Sequence, residues 1–175
     1  MLTPRPAQSG MTLIELVVGI GILGVLLALS APNFTAWIQN SKIRTTADAA
    51  QNGLQLARAE AVRLNARVQL ALGDGADWTV GCVTSSATCP ASIQARSAGE
   101  VSSNVAVSPA PVTVVFNGLG KVVSGSGDID ITNPAGGSCA PAGPMRCLRV
   151  SVSAGGQIRM CDPDTNLPAA NLQRC

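Results

Sequence analysis

The sequence predicts an α+β protein in which a long N-terminal helix is followed by an antiparallel β-sheet head. Three observations lead to this prediction. An apolar run of membrane-spanning length occupies residues 11–31, a helical stripe of apolar residues continues to about residue 65, and short β-type runs broken by Gly, Pro, Ser and Asn fill the remainder. The helix is therefore expected to have a transmembrane half and an amphipathic half, with the second half packed on the head.

The apolar run from Met11 to Ala31 reads MTLIELVVGIGILGVLLALSA. Its 21 residues would form about 32 Å of α-helix, enough to cross the hydrocarbon core of a bilayer. A short polar leader with Arg5 precedes it and ends at Gly10, whereas an ordinary secretory signal places its apolar region before the cleavage site. This order predicts cleavage on the cytoplasmic side, with the apolar helix retained in the product.

Glu15 is the charged residue of this run. A carboxylate within a spanning helix costs roughly 2.5–3.5 kcal/mol on insertion scales. Glu15 lies four residues beyond the expected new amino terminus at Met11, so the free amine and the carboxylate can pair within one chain or between neighbouring subunits. Such pairing would set the stagger between subunits; the alternative is a carboxylate that simply lies at the membrane interface.

The segment from Gly19 to Gly24 matches the pattern G-x-G-x-x-G of dinucleotide-binding sites. That fingerprint must follow a strand and open a helix within a βαβ unit, and here it lies inside the apolar run. Small residues that allow close contact between helices are the interpretation that fits this position.

Beyond the apolar run, apolar residues recur at alternating steps of four and three, which is the pattern of one helix face. They are Ile43, Ala47, Ala50, Leu54, Ala57, Ala61 and Leu64. A free coiled coil is the alternative, but a narrow stripe rich in Ala fits the surface of a sheet. The stripe therefore predicts a helix that continues to about residue 65 and packs on the head.

From Arg67 onward the pattern changes to short β-type runs. The predicted strands are Arg67–Leu72, Trp78–Val83, Val112–Phe116, Lys121–Val123, Asp128–Thr132, Cys147–Ser153 and Gln157–Cys161. The stretches 84–92 and 133–144 are predicted loops, and each carries cysteines that could hold it in place.

The six cysteines all lie beyond residue 80, away from the apolar N-terminus: Cys82, Cys89, Cys139, Cys147, Cys161 and Cys175. None forms a C-x-x-C pair, and the chain has no His for a zinc site. An even number on one side of a membrane segment indicates disulfides formed in an oxidising compartment. Nearest-neighbour pairing (82–89, 139–147, 161–175) is one guess among the connectivities that six cysteines allow, and reduced buried thiols are the alternative.

Composition argues against several classes of function. The net charge of +2 is too small for a nucleic-acid-binding field over the whole surface, and the absence of His removes the commonest general base and metal ligand. The segment 162–166 opens like a calcium loop, but Leu167 and Gln173 replace the Gly and Glu that such a loop needs. The sequence thus predicts a protein that is not an enzyme and has no catalytic residues, cofactor, metal site or small-molecule substrate.

The heptapeptide from Gly10 to Leu16, GMTLIEL, resembles the prepilin cleavage and methylation motif, usually G-F-T-L-I-E. The resemblance implies a prepilin peptidase that cuts after Gly10 and N-methylates Met11, which replaces the usual Phe. It also implies that Glu15 matches the glutamate involved in subunit assembly.

The second half of the chain resembles the FimT/GspH group of minor pilins and pseudopilins. The residues that carry this resemblance are Leu56-Ala57-Arg58-Ala59-Glu60-Ala61, Trp78-Thr79-Val80-Gly81-Cys82, Phe116-Asn117-Gly118, Gly155-Gly156-Gln157-Ile158-Arg159 and Cys161-Asp162-Pro163. The implied fold is type IV pilin-like. The implied function is that of a minor type IV pilin in the initiation or tip complex of a pilus, with a role in pilus biogenesis, twitching motility and adhesion.

The resemblance also implies a division of the chain and a set of partners. Residues 1–10 would be a cleaved leader, 11–32 the transmembrane and assembly helix, 33–65 the amphipathic helix, and 66–175 a disulfide-stapled head. The partners would be prepilin peptidase, other minor pilins and the major pilin, with inner-membrane lipid before assembly. The subunit would stand in the inner membrane of a Gram-negative bacterium with its head in the periplasm, and later in a pilus on the cell surface.

Two alternatives to this function remain open. FimT-type pilins that bind DNA during natural transformation resemble each other in a C-terminal G-R-x-R motif, whose matching positions here are Gly156, Gln157, Ile158 and Arg159. Gln157 replaces the first Arg and so removes one phosphate contact. The second alternative is a GspH-type minor pseudopilin of type II secretion, which would use the same helix in a different machine.

Overall fold

The computed structural model describes residues 10–73, 77–97 and 104–175, without the side chains of residues 30–33. Of the predicted leader, only Gly10 lies within these residues. The chain divides into two compact units, 1–35 and 36–175. Helix α1 extends from Leu13 to Leu64. Its first part is the secondary structure of the described residues of the first unit.

Among the described residues, no single helix is long and apolar enough to be a candidate membrane span. By length and composition alone, the segments Leu13–Leu29 and Phe34–Leu64 are a candidate when they are taken together as a bent pair.

Among its described residues, the second unit contains the remaining part of α1 and nine strands. The strands are β1 (Val68–Leu72), β2 (Trp78–Cys82), β3 (Gln94–Arg96), β4 (Ala106–Ser108), β5 (Val112–Phe116), β6 (Val122–Ser124), β7 (Gly127–Thr132), β8 (Leu148–Val152) and β9 (Ile158–Cys161). They form a five-stranded sheet in the order β3-β2-β1-β5-β6 and a four-stranded sheet in the order β4-β7-β8-β9. All of the strand pairs are antiparallel, so the predicted α+β class and antiparallel head are confirmed.

The predicted helical stripe is the face of α1 that packs against the sheets. Its first six residues, from Ile43 to Ala61, are all at most 1% exposed, and Leu64 packs half-buried against the same cluster. The cluster also contains core residues of both sheets, such as Phe116 and Val150. Because the alanine side chains of the stripe are small, the helix can approach the strands closely. Helix α1 and the two sheets therefore share one apolar core, and the alternative of a free coiled coil is excluded.

Side chains alternate between the two faces along the central strand of the larger sheet. Val68, Leu70 and Leu72 are buried, and the residues between them are half-exposed. Leu70 lies between Val80 of β2 and Val114 of β5, both of which are fully buried. The register is therefore fixed by apolar side chains that a one-residue slip would turn toward solvent.

Two strands were not predicted from the sequence, and the head has two sheets where one was expected. The missed strands, β3 and β4, have three residues each, and both lie at sheet edges. The sequence Gln94-Ala95-Arg96 has an exposed or half-exposed side chain at every position, so it gives no alternating apolar signal. Their pairing with β2 and β7 is a tertiary property that local pattern does not carry.

The six cysteines form three disulfides in the structure, and the pairing is that of nearest neighbours. Cys82 is bonded to Cys89, Cys139 to Cys147, and Cys161 to Cys175. The first bridge closes the loop after β2, the second closes the loop before β8, and the third returns the C-terminus to β9. Each bridge thus holds an irregular segment against the end of a strand.

Candidate assembly interface

The first unit presents a continuous apolar surface. Every large hydrophobic residue from Met11 to Leu29 leaves more than half of its surface exposed in the isolated chain, and Leu13 is 80% exposed. Within residues 10–29 the charged group is Glu15. A single soluble chain rarely exposes an apolar surface of this extent, so this helix face requires lipid or other protein subunits as its surroundings.

Thr12 and Glu15 close the first turn of α1. The helix begins at Leu13, which places Thr12 at its N-cap and Glu15 in its third position. The Glu15 N–H donates to Oγ1 of Thr12 at 3.3 Å, and the Thr12 hydroxyl lies 3.5 Å from Oε2 of Glu15. The first of these contacts is the N-cap half of a capping box, while the carboxylate lies against the Thr12 hydroxyl. The cap was not predicted, although the pattern T-x-x-E before an apolar run is its signal in the sequence.

This position in the first turn places the Glu15 carboxylate where it is least unfavourable in an apolar helix. The first turn of a helix carries partial positive charge, which stabilises an acidic group there. Gly10, the predicted cleavage position, is exposed, and a side chain at this position would meet no atom within 4 Å among the described residues. The residues of the predicted cleavage motif are therefore accessible at one end of the helix. Pairing of Glu15 with a free amine at Met11 stays a prediction.

Gly19, Gly21 and Gly24 give the apolar helix open positions. A Cβ atom at any of the three would meet nothing within 4 Å in this chain. Their small size therefore has no packing role within the described part of the chain. It would allow a neighbouring helix to approach closely, as small residues do between apolar helices.

In the second unit, several residues of the predicted family motifs meet at one junction. Nε of Arg58 on α1 donates to the carbonyl oxygen of Gly120 in the β5–β6 turn at 3.2 Å. Gly156, in the β8–β9 turn at a φ of +82°, packs against that same carbonyl, and a Cβ atom there would collide with it. Val122 N also donates to the Ala154 oxygen at 3.1 Å, so the junction joins the two sheets to the helix.

Asn117 and Asn65 complete this junction. Oδ1 of Asn117 accepts hydrogen bonds of 3.0 Å from the N–H groups of Leu119 and Lys121, which shapes the β5–β6 turn. Asn65 ends α1 in a left-handed conformation and packs so closely on Gly118 that a Cβ atom there would collide with it. The motif Phe116-Asn117-Gly118 is thus explained by packing within the head.

The residues predicted as alternative DNA contacts are separated by this arrangement. Gly156 is buried in the junction, whereas Gln157 and Arg159 are exposed. Nη2 of Arg159 donates to the carbonyl oxygens of Leu172 and Arg174 at 3.0 and 3.1 Å. Arg159 therefore holds the C-terminal loop to β9, a structural role that the sequence analysis did not foresee.

The solvent face around Arg159 carries carboxylates as well as guanidinium groups. Asp128 and Arg159 both pair with Ser151 across the sheet, and Asp130 pairs with Arg149 in the next row. Arg149 binds Asp130 through two hydrogen bonds of 2.6 and 3.0 Å and reaches Asp128 at 3.2 Å. The charges of Asp128 and Asp130 thus offset those of Arg149 and Arg159, which disfavours the attraction of phosphates.

The pKa of Arg149 is raised above its ordinary value. The hydrogen bond to Asp130 raises it most, partial burial opposes the shift, and the charges of Asp130 and Asp128 add to it. A group whose folded pKa is raised stabilises the fold below its unfolded pKa and ceases to do so above its folded pKa. Since an arginine loses its proton only in strongly alkaline solution, the raised pKa of Arg149 adds no pH dependence to the stability in the physiological range.

Asp162, the first residue after β9, connects several parts of the C-terminal loop. It is a buried charged residue that accepts a 3.2 Å hydrogen bond from Nε of Arg146 and a 3.0 Å hydrogen bond from the N–H of Asp164. The backbone N–H of Asp162 donates to the backbone carbonyl oxygen of Gln173 at 2.6 Å. Arg146, and not Arg159 three residues before it on β9, is therefore the ion-pair partner of Asp162. No group of three metal-binding side chains occurs among the described residues.

Two known sequence families match the chain. The family described as type II transport protein GspH matches residues 46–156, and the prokaryotic N-terminal methylation motif matches residues 5–31. The first match covers the later turns of α1, from residue 46, and most of the head. The second covers the predicted cleavage site and the apolar run.

Solved structures with similarity to the chain include two crystal forms of the type IV minor pilin FimU from Pseudomonas aeruginosa strain PAO1. One has a TM-score of 0.52 and 16% sequence identity, and the alignment covers 71% of this chain and 91% of FimU. The other has a TM-score of 0.48 and 17% identity, with 67% and 90% covered. The first of these similarities supports the fold. No curated protein matches the chain by sequence.

Proposed function

The chain belongs to the family of type II transport protein GspH, and from this premise we propose that it is a minor type IV pilin that is cut after Gly10 and then built into a pilus by its N-terminal helix. The observation that carries the proposal is the exposed apolar face of residues 11–29 with the capped Glu15 at its start. The family match confirms the resemblance predicted from the sequence, and the protein is a structural subunit of the pilin type.

The apolar face supports a two-stage use of the same helix. Residues 11–32 would first stand in the inner membrane as a single span, and would later exchange lipid for the helices of neighbouring subunits. Lipid chains and Leu side chains are equally apolar, so this exchange needs close packing and polar pairing to drive it. Gly19, Gly21 and Gly24 would supply the packing, and Glu15 would supply the pairing.

Processing would follow from the same segment. The methylation motif implies maturation by a prepilin peptidase, with Met11 as the new first residue and the site of N-methylation. Cleavage would leave an amine four positions from Glu15. A charge-assisted pair between these groups, within the chain or with the next subunit, would offset the desolvation of both.

The head would face the periplasm before assembly and the cell surface afterwards. Three disulfides agree with an oxidising compartment such as the periplasm of a Gram-negative bacterium. We propose a structural role without enzymatic activity or a cofactor, because the chain belongs to a family of pilin-type structural subunits. Other minor pilins and the major pilin would be the partners, in an initiation or tip complex that supports twitching motility and adhesion.

Mass spectrometry of the protein isolated from membranes and from sheared pili tests this proposal. The expected mature chain begins with N-methylated Met11, and Gly10→Val leaves the leader attached. Gly19→Val is the matched control, because it makes the same substitution beyond the cleavage site and should be processed normally. A mature chain that keeps residues 1–10, or that has lost the apolar segment, would contradict the proposal.

A pseudopilin of type II secretion is the second candidate, because the matching family carries that description. The same processing and helix would then serve a periplasmic filament. Deletion of the gene separates the two: loss of surface pili and twitching with normal exoprotein secretion supports the pilin, and the reverse supports the pseudopilin.

A further inference from the structure

The second unit contains a groove of about 320 Å³ between the start of its helix and the β8–β9 side of the head. Leu148 and Met160 give it an apolar wall. Its polar lining includes Asn40, Arg44, Arg146, Asp162 and Gln173, and Trp37 lies at the same groove. It thus combines two guanidinium groups, amide groups and an indole in one concave site.

Arg146 is held in place in this groove. Its N–H donates to Oδ1 of Asn40 at 2.7 Å, and its side chain bonds to Oδ2 of Asp162 at 3.2 Å and to Oε1 of Gln173 at 3.3 Å. Its side chain is nevertheless 60% exposed, whereas that of Asp162 is 4% exposed. The positive end of the pair therefore faces the groove, and the negative end is covered.

Arg44 supplies a second cation with few constraints. It lies 4.0 Å from Asp48 and its side chain is 71% exposed. Arg44 lines the groove together with Asn40 and Ser41 of the preceding turn. Two arginines at one opening can bind an anionic phosphodiester with charge-assisted hydrogen bonds.

The position of the groove in the chain indicates where that phosphodiester comes from. Trp37 follows Leu29, the last large hydrophobic of the exposed apolar segment, by eight positions, and it is itself 65% exposed. Tryptophan and basic residues next to an apolar span are typical of the lipid headgroup region. Basic side chains there are attracted to anionic lipids.

We propose that this groove binds the headgroup of an anionic phospholipid while the subunit stands in the membrane before assembly. The inference rests on the proposed membrane insertion of residues 11–32. Arg44 and Arg146 bind the phosphate, and Trp37 lies at the level of the glycerol backbone. Such a contact holds the head close to the bilayer, and it is released when the helix leaves the lipid. Two arginines are too few for a nucleic-acid tract, which engages many phosphates at once.

Tryptophan quenching by brominated lipids tests this binding. The full-length processed chain is placed in nanodiscs in which brominated phosphatidylglycerol or brominated phosphatidylcholine is mixed with unlabelled lipid. The quenching that depends on Trp37 is obtained by subtracting that of Trp37→Phe, which retains the buried Trp78. The wild type should prefer phosphatidylglycerol, and Arg44→Gln or Arg146→Gln should lower that preference about fivefold each.

Lys121→Gln is the matched control, because it removes the same charge from an exposed turn of the head. It should keep the preference of the wild type. Equal loss in Lys121→Gln would indicate an effect of net charge alone and would overturn the inference, as would a preference unchanged in both arginine variants. If Arg146→Gln loosens the C-terminal loop, the result for Arg44→Gln alone tests the inference. Failure of the chain to insert into the bilayer at all would instead overturn the proposed function.

Discussion

Nε of Arg58 on α1 lies 3.2 Å from the carbonyl oxygen of Gly120 in the β5–β6 turn, and this contact is the point where the helix and both sheets are joined. Gly156 of the β8–β9 turn packs on the same carbonyl. Three of the short motifs that carry the family resemblance therefore meet at one place. The presence of these motifs in this order along the chain has a packing explanation, which does not depend on a ligand.

Substitution of Gly156 tests this junction. Gly156→Ala places a methyl group against the Gly120 carbonyl and forces a side chain into a φ of +82°. We expect a loss of about 2 kcal/mol or more in the free energy of unfolding, measured by urea denaturation of the detergent-solubilised chain. Gly155→Ala is the matched control, since its nearest neighbour would be Ser153 Oγ at 3.8 Å. Equal stability of the two variants would show that the turns do not need their close approach.

The C-terminal loop provides a second prediction. The Cys161–Cys175 bond spans a sequence separation of 14, and closing a loop of that size stabilises a fold by about 3 kcal/mol on the chain-entropy model. Cys161→Ser/Cys175→Ser should lower stability by about that amount and expose the loop to proteolysis. Thr165→Ala, an exposed substitution in the same loop, should change neither. Resistance to protease equal to that of the wild type would show that Arg159, Asp162 and Arg174 hold the loop without the disulfide.

The elements that the sequence predicted are those with a strong local signal. Residues 112–116 of β5 alternate in burial, and the helical stripe from Ile43 keeps its period over six turns, so both were found with correct or nearly correct bounds. The strands β3 and β4 are edge strands of three residues each, and their formation depends on the neighbouring strand. No local pattern encodes that pairing.

The candidate site was predictable in the same uneven way. The apolar run and Glu15 are sequence features. The structure adds the Thr12 cap, which the T-x-x-E pattern could also have predicted. The partners of the head charges could not be predicted, because Arg146, Arg149 and Arg159 are brought to their acceptors by strand register. Asp162 lies sixteen residues from its partner Arg146, so nothing in local spacing favoured that pair over Arg159.

A third prediction concerns DNA. Arg159 uses Nη2 to hold the C-terminal loop, and its face carries balanced charge. We expect that duplex DNA, titrated at low salt against the full chain in detergent, binds weakly and that Arg159→Ala does not change the slope of affinity against salt. Gln157→Arg adds an exposed cation and should steepen that slope by about one. Micromolar binding lost in Arg159→Ala would instead support the DNA-binding alternative.

The last prediction separates the two roles of the first helical turn. Thr12→Ala removes the N-cap and should destabilise that turn by about 1 kcal/mol, while Glu15 keeps its charge. Glu15→Gln keeps the shape of the side chain but removes the charge that would pair with the amine of Met11. A charge-assisted hydrogen bond contributes about 1.5–3 kcal/mol, so Glu15→Gln should enter pili at least about tenfold less than the wild type although its leader is removed normally.

Quantitative mass spectrometry of sheared pili, with the membrane fraction as reference, measures both effects. Glu60→Gln is the matched control, because it makes the same change on the same helix where the carboxylate pairs with Arg63 at 2.6 Å. Thr12→Ala should lie between Glu15→Gln and the control, since a frayed first turn weakens the position of the carboxylate without removing it. Incorporation of Glu15→Gln at the wild-type level would mean that small residues alone, such as Gly19 and Gly24, determine how the helices pack.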